Sequence, residues 1–293
     1  MTIIIDTDPG IDDAIAILYA LRLPAQDIVA LTTVAGNIGL SVTTRNAGRI
    51  CALAGVPTPV HAGAAAPLGK EPSPELGIHG NDGLGGVHFP EPLSPPASHD
   101  AVGAMIEILA AHPSQTVDLF CLGPLTNLAL LLDRAPESAQ RIRRVIAMGG
   151  AVDEPGNVGP KAEFNIAHDP HAAAVVLAAN LPFTLIPLDA TRQFRADATY
   201  IAALRNTGAE FAKASASLID AYFAATNGAE SRPLHDPCVP LLAGHPELFT
   251  LKTRMLDVDI ATGALVDGPH PIKVAMGVDA DGLRAALLKG LSC

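Results

Sequence analysis

Strand-like and helix-like segments alternate along most of this chain, and that alternation constrains the fold more than any other feature. Thr2 to Ile5 and Ile28 to Val34 read as strands around a helix that starts near Asp12. Ser41 to Ala54 reads as a helix stopped by Gly55, Pro59 to His61 as a short third strand, and Ser98 to Ala111 as a helix ending before His112-Pro113. A strand at Val117 to Leu122, a helix from Pro124 to Leu132, a strand at Arg144 to Met148 and a helix from Asp169 to Asn180 come next. In that last helix Asp169 caps and Pro170 takes the first turn. Phe183 to Leu188 is the next strand. Such alternation predicts an α/β chain: one open Rossmann-like domain over residues 1–293, with a mostly parallel central sheet and helices on both faces.

After Asp189 the alternation weakens. Helical stretches at Ala198 to Arg205 and Ala209 to Ala225 lead into a loop at Thr226 to Leu234, and a short helix is expected after Asp236. The apolar runs Met255 to Ile260 and Ile272 to Val278, joined by the Gly-rich Ala261 to His270, predict an antiparallel edge near the C-terminus. The segment Gly63 to Ala97 is long for a connection inside a compact domain, and such loops are usually functional.

The chemistry of such a fold is set by the residues at the carboxyl end of each strand, because open α/β sheets bind their ligands there. The first strand runs into Asp6-Thr7-Asp8-Pro9-Gly10-Ile11-Asp12-Asp13, four carboxylates in eight residues. A helix N-cap at Asp12 and a dipole role for Asp13 account for two of them. Four like charges in one loop stay ionised most readily around a hard cation, and carboxylates are preferred oxygen ligands of calcium and magnesium. Gly36-Asn37 lies after the second strand and His79 in the long loop after the third. Gly123-Pro124-Leu125-Thr126-Asn127 comes after the fourth strand, Met148-Gly149-Gly150 with Asn157, Glu163 and Asn165 after the fifth, and Asp189-Ala190-Thr191 after the sixth.

Composition narrows the partners. With 49% hydrophobic and 17% charged residues the chain has a core to bury, and a net charge of −11 without a basic patch argues against nucleic acid. Apolar runs such as Ala172 to Ala179 are too short to span a bilayer, so no membrane partner is expected. Cys51, Cys121, Cys238 and Cys293 have no metal-binding spacing and read as buried thiols in a reducing compartment. With no secretory signal at Met1, a cytoplasmic location is expected.

The ordered set of strand-end motifs resembles the inosine-uridine preferring nucleoside hydrolases. The match runs from Asp6-Thr7-Asp8-Pro9-Gly10-Ile11-Asp12-Asp13-Ala14 through Val34-Ala35-Gly36-Asn37, His79-Gly80-Asn81-Asp82-Gly83 and Gly123-Pro124-Leu125-Thr126-Asn127. It continues through Met148-Gly149-Gly150 and Ala162-Glu163-Phe164-Asn165 to Leu234-His235-Asp236-Pro237-Cys238. The resemblance implies a calcium-dependent hydrolase that cleaves ribonucleosides to ribose and free base. Calcium would be held by Asp8, Asp13, Asp236 and the main-chain carbonyl of Thr126, with Asp6 standing behind them. Asp8 would also deprotonate the metal-bound water, and His235 would protonate the leaving base as a ring titrating near neutrality. Asp12 and Asn165 would meet the 2′ and 3′ hydroxyls and the developing positive charge. Asn157 and Glu163 would meet the 5′ hydroxyl, Met148 the apolar side of the sugar, Asn37 the ribose pocket and His79 the base. The resemblance also implies a homodimer or homotetramer.

The Thr226 to Leu234 loop carries no aromatic residue and the chain has no Trp, so a base sandwiched between tryptophans is not available and base preference stays open. Two other readings compete. A phosphatase of the haloacid dehalogenase type would use Asp6 as nucleophile and Asp8 as acid/base with magnesium, but needs a Lys at the phosphate, and only loop residues such as Lys70 and Lys161 are at hand. A non-catalytic nucleoside-binding protein would require a degraded catalytic position, and none is visible.

Overall fold

A computed structural model describes residues 1–23, 26–70, 79–225 and 234–292. Its centre is one nine-stranded sheet in the order β3-β2-β1-β4-β5-β6-β9-β7-β8. The strands are β1 (Thr2–Thr7), β2 (Asp27–Thr33), β3 (Val60–Ala62), β4 (Val117–Cys121), β5 (Ile142–Met148), β6 (Phe183–Ile186), β7 (Phe249–Asp259), β8 (Ala264–Asp267) and β9 (His270–Val278). From β3 to β6 all neighbours are parallel, as the alternation predicts, and β9 continues that run beside β6.

β1 shows why the sheet lies in the middle of the molecule. With side chains alternating between faces, Ile3 and Ile5 enter one core together with Leu31, Phe120 and Ile146. Ile4 enters the other with Leu119, Cys121 and Val145. All three isoleucines are at most 1% exposed, so truncating any of them to Ala is a cavity mutation costing about 2–5 kcal/mol. Helices α1 (Ile11–Arg22) and α2 (Leu40–Ala54) cover the first face. On the second lie α3 (Ala101–Ala111), α4 (Thr126–Arg134) and, after the short α5 (Pro136–Ala139) and α6 (Phe164–His168), α7 (Pro170–Ala178). Gly55 ends α2 in the left-handed region at φ 67°, and the Asp169 carboxylate caps α7 by accepting from Ala172 N–H at 3.0 Å.

Strand order reverses at β1: the chain walks outward through β2 and β3, then returns to β4 on the other side. The crevice of an open α/β sheet forms at that switch, beyond the carboxyl ends of β1 and β4. Asp6 sits in register between Thr32 of β2 and Cys121 of β4, so the residues after it emerge into that crevice.

Some expectations need adjusting. Helix α1 is capped by Gly10 and not by Asp12; Asp13, three residues on, accepts the Gly10 N–H at 2.9 Å. The Gly-rich link between the last two apolar runs is not a plain loop: it folds into β8, with Ala264 and Leu265 buried. β8 is the sheet edge, and β9, buried through Ile272, Val274 and Ala275, lies inside it between β6 and β7. The short helix α8 (Leu188–Thr191) comes directly after β6. Helices α9 (Ala198–Asn206), α10 (Glu210–Ala225) and α11 (Cys238–Gly244) fall where expected, and α12 (Ala280–Leu291) closes the chain. Cys51, Cys121 and Cys238 are free and buried. Cys293, and all of the Thr226 to Leu234 loop except Leu234, lie outside the described residues.

Candidate active site

The acidic loop is held in place by hydrogen bonds that the strand ends supply. Asp8 is buried, and Asn37 donates its backbone N–H to Asp8 Oδ2 at 2.7 Å. The same Asn37 donates Nδ2 to the Asp8 carbonyl at 3.2 Å and to Asp13 Oδ2 at 3.0 Å, while Thr7 Oγ1 donates to Asp13 Oδ1 at 2.6 Å. Asn37 therefore joins two acids, a role its reading as a ribose-pocket residue did not contain, and it also lines the cavity. Gly36 and Gly123 flank Asp8 so tightly that a Cβ on either would overlap a carboxylate oxygen. Both must be glycine for Asp8 to keep its place.

Asp12, Asp13 and Asp236 each present a carboxylate oxygen within 4.8 Å of the others, the described residues' candidate metal cluster. Asp8 lies against this group without belonging to it, and its Oδ1 is buried with no hydrogen-bond partner. Burial raises the Asp12 carboxyl to about 7, with repulsion from Asp13 adding to it. Burial also lifts Asp8 and Asp236 well above the usual carboxylate range, helped by Asp13 at the first and by Asp12 and Asp13 at the second. Among the described residues no Lys or Arg pairs with any of the four. An all-oxygen donor set with an orphaned buried oxygen and no internal counter-charge fits a hard divalent cation.

Thr126 opens α4 fully buried, and its Oγ1 donates to Asp169 Oδ2 at 2.6 Å, which fixes the main chain at that turn. Asp6 is buried at the end of β1 and off the cavity wall. It accepts from Thr32 Oγ1 at 2.6 Å and Asn127 Nδ2 at 2.8 Å, and burial pushes it up to about 7.

Beside the acids opens a cavity of about 220 Å³. Its wall includes Asp12, Asn37, His79, Met148, Asn157, Glu163, Asn165, His235 and Asp236, all of them candidates from the sequence. Asp6, Asp8, Asp13 and Thr126 are not on that wall. Leu122, Val158, Phe164 and Tyr222 complete the lining without having been expected there; Phe164 lies inside one of the family motifs and Tyr222 just before the loop at 226–234. Asn165 donates Nδ2 to the carbonyls of Leu122 at 2.8 Å and Met148 at 3.1 Å. Glu163 caps α6 through Asn165 N–H at 3.0 Å and also accepts Gly150 N–H at 2.7 Å; burial holds its carboxyl above the usual range. Asn157 Oδ1 accepts Phe164 N–H at 3.0 Å.

His235 departs from the near-neutral titration expected of it, and His79 is lowered as well. His79 Nδ1 accepts the Ile11 N–H at 3.1 Å, and burial lowers the ring to about 4 against the pull of Asp13. His235 Nδ1 meets Thr191 Oγ1 at 2.7 Å, and burial, reinforced by Arg192 and Arg195, lowers it to about 3. Burial thus favours the neutral form of both rings, and His79, accepting at Nδ1, then carries its proton on Nε2.

A phosphatase reading does not survive this geometry. Asp6 is 1% exposed, tied to Thr32 and Asn127, and absent from the cavity wall. Lys70 donates to the Ala167 carbonyl and Lys161 to the carbonyls of 152–154, so neither faces a phosphate there.

A doubly wound sheet with buried acids and a polar-walled cavity at its switch point defines an α/β enzyme with a candidate metal centre. The model of the inosine-uridine preferring nucleoside hydrolases matches residues 3–285, and this chain belongs to that family. The non-specific ribonucleoside hydrolase RihC of Shigella boydii is 37% identical over 302 residues, covering 97% of this chain and 96% of that one. An uncharacterized protein of Schizosaccharomyces pombe is 41% identical over 266 residues, covering 89% and 85%. Among solved structures, a purine-preferring ribonucleoside hydrolase from Gardnerella vaginalis superposes with a TM-score of 0.93 at 29% identity, covering 100% of this chain and 98% of that one. The chain is thus a hydrolase of N-glycosyl bonds. Among the described residues no helix is long and apolar enough to cross a membrane.

Proposed function

We propose that the chain, acting as one domain over residues 1–293, is a calcium-dependent hydrolase releasing ribose and free base from ribonucleosides. The observation that carries this reading is the group of Asp12, Asp13, Asp236 and the neighbouring Asp8, which has no Lys or Arg beside it among the described residues and an orphaned oxygen on Asp8, next to a cavity lined by polar side chains and by Met148, Leu122 and Phe164. A homodimer or homotetramer in the cytoplasm goes with the family resemblance.

Asp8, Asp13, Asp236 and the Thr126 carbonyl would hold the ion, with Asp12 close enough to join them or to face the sugar. A calcium ion held there would supply Lewis-acid chemistry, making a water easier to deprotonate and offering a place for sugar hydroxyls. Asp8, whose buried Oδ1 has no hydrogen-bond partner, would take the proton of the attacking water. Cleavage develops positive charge on the sugar ring, as in glycoside hydrolysis. Asn165 and Asp12 offer oxygens to that charge and to the 2′ and 3′ hydroxyls, Asn157 and Glu163 hold the 5′ hydroxyl, and Met148 packs against the ring. Of the two histidines, His79 lies at the base. His235, set by Thr191, would be the acid at the departing base: the ring takes up a proton from solvent, passes it to the base as the bond breaks and returns to its neutral form.

Ribosides should beat 2′-deoxyribosides. Deleting the 2′ hydroxyl leaves buried polar partners unpaired and costs on the order of 2–5 kcal/mol in transition-state binding. Kinetics on inosine and 2′-deoxyinosine should differ by roughly thirtyfold to a few thousandfold in kcat/KM; equal turnover of the two contradicts the sugar clamp.

A further inference from the structure

The turn after β6 faces two parts of the cavity wall at once. On one side Thr191 holds His235. On the other, the buried Asp189 side chain accepts three successive backbone N–H groups of the next loop: Oδ2 from Val152 at 2.8 Å, Oδ1 from Asp153 at 2.7 Å and from Glu154 at 3.2 Å. The carbonyls of the same loop are held by cations. Lys161 Nζ reaches those of Asp153 at 3.0 Å and Glu154 at 3.3 Å, and Arg192 those of Pro155 at 2.6 Å and Gly156 at 3.1 Å. The loop's own side chains are anchored only at the surface: exposed Asp153 accepts from Arg254 through two bonds of 3.0 Å and exposed Glu154 lies 3.7 Å from Arg192, so the buried hold on its backbone comes from Asp189. Its next two residues are Asn157 and Val158, both on the cavity wall, and Asn157 is tied to Phe164, beside Glu163.

We propose that Asp189 is a positioning residue for the 5′ end of the nucleoside: its carboxylate folds the 152–156 backbone and thereby sets Asn157 against Glu163 at the distance a 5′-hydroxymethyl group requires. A buried carboxylate that accepts three amide hydrogens is charge-assisted at each of them and leaves the loop one conformation. An Asn in its place turns one acceptor into a donor facing those amides, which loosens the loop without emptying the site. Asp189 is not on the cavity wall, so it acts through the loop. This inference rests on the proposed ribonucleoside hydrolysis.

The test measures kcat and KM on inosine and on 5′-deoxyinosine for the wild type, Asp189→Asn and Lys161→Ala, each checked for a cooperative thermal melt. Asp189→Asn is expected to lose roughly ten- to hundredfold in kcat/KM on inosine, mostly in KM, as misplacement of a binding group does. On 5′-deoxyinosine it should stay near the wild-type value, so that the preference for the 5′ hydroxyl collapses. Lys161→Ala, an exposed residue clamping the same loop, should shift that preference in the same direction by less; it carries the test if Asp189→Asn does not fold. Equal losses on both substrates, or an unchanged 5′ preference in both variants, overturns the positioning role while ribonucleoside hydrolysis stands. A wild type that cleaves inosine and 5′-deoxyinosine equally overturns it too. A wild type that cleaves neither removes the proposed function and this inference with it.

Discussion

The two ends of the central sheet bury carboxylates equally well and treat them in opposite ways. Near the amino end, Asp118 of β4 is fully buried and closed off by the chain itself: Arg143 grips it through two bonds of 2.6 Å and Arg144 adds a third at 2.9 Å. At the carboxyl end Asp8, Asp13 and Asp236 are as deeply buried, yet their partners are neutral donors and one another. A buried charge deprived of a counter-charge is expensive. The chain that solved this problem with two arginines at one end left it open at the other, and the open end is the one that adjoins the cavity. The difference separates an ion pair that holds two strands together from a place made for an external cation.

The comparison breaks most visibly at His235. Removing a carboxyl-end group should change chemistry by orders of magnitude with the fold intact. General acid catalysis is worth about two to four orders of magnitude, so His235→Ala should lose that much on inosine. On a 4-nitrophenyl riboside, whose leaving group needs no proton, the same variant should stay near wild type, whereas Asp8→Asn should fail on both. Equal loss on both substrates for His235→Ala assigns the ring to holding Asp236 or the sugar, and the proton donor then becomes His79.

A smaller effect appears in stability against pH. Asp6 and Asp12 titrate near 7 in the folded chain, against an ordinary 3.8, and Asp8 and Asp236 also lie well above it. Their raised values mean that the unfolded chain gives up these protons first, so stability is lost as pH rises from about 4 through 7. His79 and His235, lowered to about 4 and 3 from 6.5, act oppositely: their contribution is intact above 6.5 and lost on acidification. Four acids outweigh two histidines, and above 6.5 the acids act alone. Melting temperatures of metal-depleted protein should therefore fall between pH 5 and pH 8, and calcium should raise them more at pH 8 than at pH 5. A calcium effect that is the same at both values would uncouple the ion from these carboxyls.

At the amino end only stability should move. Arg143→Ala leaves Arg144 on Asp118, and Arg143 itself is 40% exposed, so the loss should be about 1 kcal/mol in a denaturant titration. Its kcat/KM on inosine should match wild type; a drop would mean that the two ends are coupled through β4 and β5.

Much of this site is legible in sequence because β1, its turn and α1 are contiguous: a run of isoleucines that must be buried delivers Asp6 to Asp13 to a strand end, and period-2 and period-3.6 patterning locate it. His235 and Asp236 are over two hundred residues away, and only the ordered motifs of the family bring them to the same place. Other features depend on packing alone. Leu122, Val158, Phe164 and Tyr222 reach the wall from strand ends, a loop and a helix whose facing no local pattern specifies. The lowered titration of His79 and His235 comes from burial, which a sequence does not display residue by residue. Asp189 looks like any acid after a strand until the three amides it accepts are seen in space.

The most direct measurement is inosine hydrolysis by exhaustively chelated protein, with bound metal tracked by elemental analysis and divalent ions then added back. The open carboxyl end predicts activity that falls with the metal content to background and returns with calcium, and far less with magnesium, whose tight octahedral shell suits a site shared with two sugar hydroxyls poorly. Full activity in protein shown to contain no metal would contradict it.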